Sequence, residues 1–349
     1  MLPKLLRRLA PALVIAAILS CLPGRLAADL VWSRQTGWRV EGGAFAGIGG
    51  PEARKAVDLM NKGRLDEEHK SYGSAISSYE KVAKKYPNSV YAPEALYRVG
   101  NLRLLRKQYY DAFDAYQQLI GRYPNTKRFN EIIGKQYRIA SDLLDGKRAY
   151  MWGLFPGTTG RANGIGYFEV IVNNAPYSDY APLCLMNIAR GHQIRKETDE
   201  AIDALDRLIN SYPQSLLSPD AYFKLAQMHA SLVQGPYYDQ ASTREAVTYY
   251  EDFMILFPND VNLGKAAKGL DDMKKMLAVS KIKMGDFYFY KRDNYLAARV
   301  FYNEAITAYP DSEPAREAKV KLAQVEAKAM GKPVPGEPAK KKKKHFLFF

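Results

Sequence analysis

Between Pro51 and about Met330, apolar residues recur at helical spacing and are interrupted by polar turns and by aromatic-proline pairs. The pattern predicts paired helices near 51–68 and 73–86, 92–106 and 109–123, 127–145 and 163–174, 180–196 and 198–211, 217–233 and 241–256, and 263–290 and 293–308. A closing helix is expected from about 314 to 330. Proline falls inside expected first turns, as in Tyr91-Ala92-Pro93 and Leu217-Ser218-Pro219, where its missing N–H does no harm.

One stretch sets the grammar. In Gly100 to Pro124, GNLRLLRKQYYDAFDAYQQLIGRYP, a small residue, a second small residue, a large aromatic and a helix stop follow at intervals of 12, 4 and 8 residues (Gly100, Ala112, Tyr116, Pro124). Two helices can approach closely at Gly100 and Ala112, Tyr116 fills the space between them, and Pro124 ends the second helix. Counting back from Pro87 finds Tyr79, Ala75 and Gly63; Pro176 gives Phe168 and Gly164, Pro213 gives Leu205 and Ala201, Pro258 gives Tyr250 and Ala246, and Pro310 gives Tyr302 and Ala298. This matches the tetratricopeptide pattern. The six prolines are 37, 52, 37, 45 and 52 residues apart, so a 37-residue unit carries insertions of 15, 8 and 15. The expected fold is all-α: a tetratricopeptide-type α-solenoid of about six helical hairpins over 51–330, with a disordered Lys-rich tail at 331–349.

Residues 1–28 have basic Lys4, Arg7 and Arg8, an apolar run from Leu9 to Leu22 and a small pair, Ala27-Ala28, the layout of a secretory signal peptide. Two processing sites stay open: cleavage after Ala28, or a lipobox at Ile18-Leu19-Ser20-Cys21 that would make Cys21 the site of lipid attachment. The other cysteine, Cys184, sits in the apolar run LCLMNIA and reads as a buried small hydrophobe. Residues 29–50 suggest a tether or small hairpin, with alternation around Trp32 and Trp38 and either packing of these tryptophans on the first repeat or contact with a partner or membrane.

The formal charge of +14 is concentrated at the ends. Four cations in 1–28 and a net +5 in 331–349 leave a mild +5 for the folded body, and no zinc spacing or RNA-binding motif supports a nucleic-acid partner. No metal or cofactor is expected. The four histidines are dispersed and no GxSxG occurs, so an enzyme is not expected. The insertion Asp145 to Gly166 fails both phosphate-loop and dinucleotide fingerprints; its apolar Met151, Trp152, Leu154 and Phe155 suggest a partner-contact element or one folded over a neighbouring repeat.

A repeat stack binds an extended chain or a partner domain along its first helices. Tyr97, Asn101 and Leu104, Met186 and Arg190, and Phe223 and Gln227 occupy positions that face such a groove in tetratricopeptide geometry, with packing between repeats as the competing role. The hairpin ends YPNS, YPNT, YPQS, FPND and YPDS, behind an export signal and with Ala-Pro or Ser-Pro helix starts, resemble the BamD-type outer-membrane assembly lipoproteins of Gram-negative bacteria over about 51–330. The resemblance implies a non-enzymatic periplasmic scaffold at the inner face of the outer membrane. Such a scaffold holds a BamA-type insertase and other assembly-complex subunits and receives unfolded outer-membrane proteins, with Tyr97 and Asn101 on the substrate side and 263–330 on the insertase side. The alternative is a periplasmic tetratricopeptide coordinator of cell division or peptidoglycan synthesis. The end of the tail, KKKKKHFLFF, offers membrane association besides a lipid anchor.

Overall fold

Helices stop where the aromatic-proline pairs stand, because proline cannot supply the next intrahelical N–H and its ring restricts the residue before it. The computed structural model describes residues 29–41, 51–238 and 240–332. The signal segment with Cys21, the Gly-rich part of the tether and the tail from 333 onward lie outside the described residues. The chain divides into two compact units, one reaching Tyr180 and one starting at Ala181.

The first unit opens with an antiparallel hairpin of β1 (Asp29–Ser33) and β2 (Gly37–Glu41), with Trp32 opposite Trp38. Three helical hairpins follow: α1 (Pro51–Glu68) with α2 (Tyr72–Lys85), α3 (Ala92–Leu105) with α4 (Tyr109–Arg122), and α5 (Phe129–Leu144) with α6 (Arg161–Asn174). The last pair is interrupted by a second antiparallel β-hairpin, β3 (Arg148–Met151) and β4 (Phe155–Thr159). No strand is expected here from the sequence pattern. Pro156 sits inside β4 and a bulge shifts the register between Arg148 and Tyr150, so no period-two alternation was there to read.

The second unit continues the same plan with α7 (Tyr180–Arg195), α8 (Thr198–Ser211), α9 (Ser218–Ser231), α10 (Ala241–Leu256), α11 (Leu263–Lys291), α12 (Tyr295–Ala308) and the closing α13 (Glu313–Ala329). Only the first residue of α7 belongs to the preceding unit. Cys184 is buried in α7.

The cores rest on a glycine-aromatic interlock. A Cβ added at Gly100 would lie 2.4 Å from the Tyr116 ring, and one at Gly63 would lie 2.7 Å from Tyr79. Tyr79, Tyr116 and Tyr302 are fully buried. In α5 and α6 the contact is with backbone instead of a ring: a Cβ at Gly164 would lie 2.8 Å from the Ala140 carbonyl oxygen of α5. The 29-residue α11 makes two such contacts, Gly269 with Tyr250 of α10 and Gly285 with Tyr302 of α12. Sixteen positions separate these glycines, which at about 1.5 Å per residue is roughly 24 Å. The first half of α11 therefore closes one repeat while its second half builds the next.

Turns inside the hairpins share a second device. Lys70, Lys107 and Lys196 each occupy the left-handed region just past a first helix, with φ of 59°, 58° and 63°. The following amide reaches back to the helix in each case, as Glu197 N does to the His192 carbonyl at 2.9 Å. This is the Schellman closure, at a position where glycine is the ordinary occupant. Glu197 then clips the turn: its carboxylate accepts from Arg195 Nε at 2.8 Å and lies 2.8 Å from His192 Nδ1. These bonds, from Arg195 first and His192 second, hold its pKa down to about 2. Because Lys196 is exposed and strained only by its Cβ, Lys196→Gly is expected to stabilise the second unit by about 0.5–1 kcal/mol, read as a raised midpoint in urea unfolding with unchanged slope.

Candidate functional site

The first helices α1, α3 and α5 of the first unit carry a connected row of charged and aromatic side chains. On α1, Arg64 pairs with Glu67 at 3.3 Å, and Glu67 also pairs with Arg98 of α3 at 3.4 Å. Arg98 Nε donates to Glu94 at 2.8 Å, and Glu94 in turn meets Arg128 at 3.3 Å. The Arg128 guanidinium lies 4.1 Å above the Tyr97 ring, and Lys135 Nζ lies 5.2 Å from it. Tyr97 OH donates to Glu131, while Asn101 Oδ1 accepts from Lys135 Nζ at 2.8 Å and from Tyr116 OH at 2.7 Å. Burial pushes the Tyr116 phenol up, with Tyr97 and Glu131 adding to it, so this hydroxyl remains a donor.

The amino-terminal β-hairpin covers one end of the row. Trp38 is buried and donates its backbone N–H to Asn61 Oδ1 at 2.8 Å, while Arg64 stands 4.4 Å over Trp32 and Arg98 5.3 Å over Trp38. Both tryptophans thus pack on the first repeats through cation–π contacts, each of order 0.5–1 kcal/mol.

Of the residues expected to face a groove, Tyr97, Asn101 and Leu104 fall in the first unit. Met186, Arg190, Phe223 and Gln227 fall in the second. Tyr97 is buried and Asn101 and Leu104 are half-buried. In the second unit Met186 is half-buried, Arg190 and Gln227 are exposed, and Phe223 is buried against Phe253 (5.4 Å between ring centroids) and Tyr250 (6.3 Å). Tyr97, Asn101 and Phe223 therefore spend much of their surface joining helices, and what they present outward is an edge. Sequence spacing singled out these positions but not Arg128, Glu131 and Lys135, which sit on the next repeat and surround Tyr97.

In the second unit the corresponding hub is Asp286 of α11. It accepts from Tyr302 OH at 2.7 Å and from Lys321 Nζ at 2.6 and 2.7 Å, tying α11, α12 and α13 together. Beside it α11 leaves Met284, Phe287 and Tyr290 substantially exposed. No described helix is long and apolar enough to cross a membrane.

Stacked helical hairpins with aromatic interlocks and a polar row along the first helices define a repeat scaffold of the tetratricopeptide class; tetratricopeptide repeats are matched at residues 59–89 and 94–126. The chain belongs to the YfiO family of outer membrane lipoproteins, whose family model matches residues 159–342, just over half of it. It is similar to two proteins called outer membrane protein assembly factor BamD. The Caulobacter vibrioides protein is 24% identical over 160 residues, covering 46% of this chain and 52% of the relative, and the Rickettsia prowazekii protein is 26% identical over 157 residues, covering 45% and 62%. The chain thus spans between about half and three-fifths of the length of these relatives. Among solved structures, a tetratricopeptide repeat protein from Parabacteroides merdae aligns over 77% of this chain and 98% of its own at 12% identity, with a TM-score of 0.31.

Proposed function

We propose that this chain is a non-enzymatic periplasmic scaffold of the outer-membrane β-barrel assembly machinery, held at the inner face of the outer membrane and binding a BamA-type insertase and unfolded barrel precursors. The observation that carries this reading is membership of the outer membrane lipoprotein family across residues 159–342. The two similar proteins are outer membrane protein assembly factors, which points the same way.

On this reading the first unit receives precursors. Arg128 and Lys135 beside Tyr97 offer cations to a chain-terminal or side-chain carboxylate, and the Tyr97 edge with Leu104 offers an apolar contact to an aromatic residue. Residues 263–330 dock the insertase, with the exposed Met284, Phe287 and Tyr290 as the apolar part of that surface. Acylation of Cys21 supplies the anchor. The second unit has its own candidate contact residues in Met186, Arg190 and Gln227.

The test is crosslinking in the native envelope from a photoreactive residue at Phe287 and, separately, at Leu104, with mass spectrometry of the partners and of the mature amino terminus. The expected result is a barrel insertase from position 287, barrel precursors from position 104, and an acylated Cys21. Recovery of division or peptidoglycan-synthesis proteins at both positions would overturn the proposal in favour of an envelope coordinator.

A further inference from the structure

The β3–β4 hairpin projects from the first unit with its tip bare. Met151, Trp152, Leu154 and Phe155 are 57%, 73%, 68% and 58% exposed. Nothing about the repeat core requires this, since the hairpin is an insertion between α5 and α6. Its base is fixed nonetheless. Tyr150 N donates to the Lys107 carbonyl at 2.8 Å, the Arg106 guanidinium donates to the Trp152 carbonyl, and Lys107 Nζ lies 5.2 Å from the Tyr150 ring. The tip is thus held against the turn between α3 and α4 and displays its side chains outward from a fixed backbone.

Turn geometry singles out Trp152. Trp152 and Gly153 both have positive φ, 52° and 72°, and Leu154 N closes on the Met151 carbonyl at 3.0 Å. Asn-Gly is the sequence this turn favours, because asparagine tolerates the left-handed region and a bulky aromatic does not. A tryptophan kept there, fully displayed, trades backbone comfort for what the indole touches.

Around the tip the charge is positive. Residues 145–161 together with the 106–107 turn contain Arg106, Lys107, Lys147, Arg148 and Arg161 against Asp145 alone. Lys147 is paired at 2.7 Å with Asp142 of α5, whereas Lys107, Arg148 and Arg161 are exposed.

We infer that this hairpin is a membrane-contact element whose apolar tip inserts into the headgroup boundary of a bilayer containing anionic lipid. Three features favour a bilayer over a protein groove. The tip is convex and small, four side chains against the roughly 800 Å² per partner of a stable protein interface, whereas interfacial insertion needs a depth of only about 5–10 Å. The Leu154 amide is paired on the Met151 carbonyl within the turn and the Tyr150 amide on the Lys107 carbonyl at the base, so these backbone donors are already satisfied when the tip leaves water. Tryptophan above a cationic collar is the side-chain order that suits the interface, with the indole at headgroup level and the cations on lipid phosphates. The contact is independent of acylation at Cys21 and of the assembly role proposed above.

The experiment uses the full-length mature chain carrying Cys21→Ala, so that no acyl anchor contributes, with vesicles of phosphatidylcholine containing phosphatidylglycerol brominated on its acyl chains. Quenching of tryptophan emission is expected on these vesicles and not with Trp152→Asn, which retains Trp32 and Trp38. Trp152→Asn suits the turn better, so its thermal midpoint should equal or exceed that of the parent while vesicle affinity falls by about tenfold or more, a change equivalent to about 1.4 kcal/mol. Arg148→Glu should weaken binding to the anionic vesicles by about fivefold or more and leave the weaker binding to pure phosphatidylcholine unchanged. Equal quenching in Trp152→Asn, unchanged vesicle affinity in that variant, or crosslinking of a protein from position 152 without vesicle binding would each overturn the inference. Because this readout needs no assembly partner, its failure is distinct from failure of the scaffold proposal.

Discussion

Gly100→Ala is expected to destabilise the first unit by about 2–3 kcal/mol, although glycine to alanine inside a helix ordinarily stabilises. The added Cβ would stand 2.4 Å from the Tyr116 ring, and that ring has no room to retreat: it is fully buried and its hydroxyl is held on Asn101 at 2.7 Å. Either α3 and α4 separate or the ring leaves its rotamer. Gly121→Ala is the internal comparison. It lies in α4 with nothing within 4 Å of its added Cβ, so it should gain about 0.5–1 kcal/mol by restricting the unfolded chain. Urea unfolding of both variants followed by circular dichroism decides the matter. Equal and favourable shifts would show that the interlock is not what holds the hairpin.

Asp286→Ala should destabilise the second unit by about 2–3 kcal/mol. It removes the acceptor shared by Tyr302 OH and Lys321 Nζ, leaving a half-buried ammonium without its nearest carboxylate. The remaining carboxylate near Lys321 is Glu317 at 3.3 Å, itself largely exposed, which sets the figure below that for a fully buried pair. Lys321 also has a sign that can be read against pH. Burial lowers its pKa, but the bonds to Asp286 and then Glu317 more than reverse this, and the net shift is upward from 10.5. A raised lysine stabilises fully below its unfolded pKa and loses that contribution as pH rises through the folded value. The difference between parent and Asp286→Ala should therefore be constant between pH 6 and 9 and shrink above about pH 10.5. A difference that vanished on the acidic side of neutrality instead would show that the lysine is not the partner that matters.

Much of the fold was legible because its signals are local. Tyr-Pro pairs marked helix ends, and the interval from Gly100 to Tyr116 named both halves of an interlock that is present as read. What was missed lies where one rule is overridden by another. Lys70, Lys107 and Lys196 occupy left-handed turn positions that glycine or asparagine would advertise, so the recurring turn left no trace in residue type. Gly269 packs on Tyr250 across hairpins, an interval outside the within-hairpin grammar. The β3–β4 hairpin carries a proline and a bulge in place of alternation. As for the expected groove, spacing singled out Tyr97 and Asn101, both of which lie on α3. It could not supply Arg128, Glu131 and Lys135, because these come from the next repeat and only folding brings them to the same ring.

The double use of α11 bears on how the second unit comes apart. A row of repeats joined by loops can lose its last member while the others stay intact, since each interface breaks separately. Here one uninterrupted helix is gripped by Tyr250 at one end and by Tyr302 at the other, with no loop between at which the row could part. Melting the terminal hairpin would bare the middle of a helix whose first half is still clamped. The carboxy-terminal end of the described fold is therefore spliced to its neighbour, and fraying from that side meets a barrier that an ordinary terminal repeat lacks.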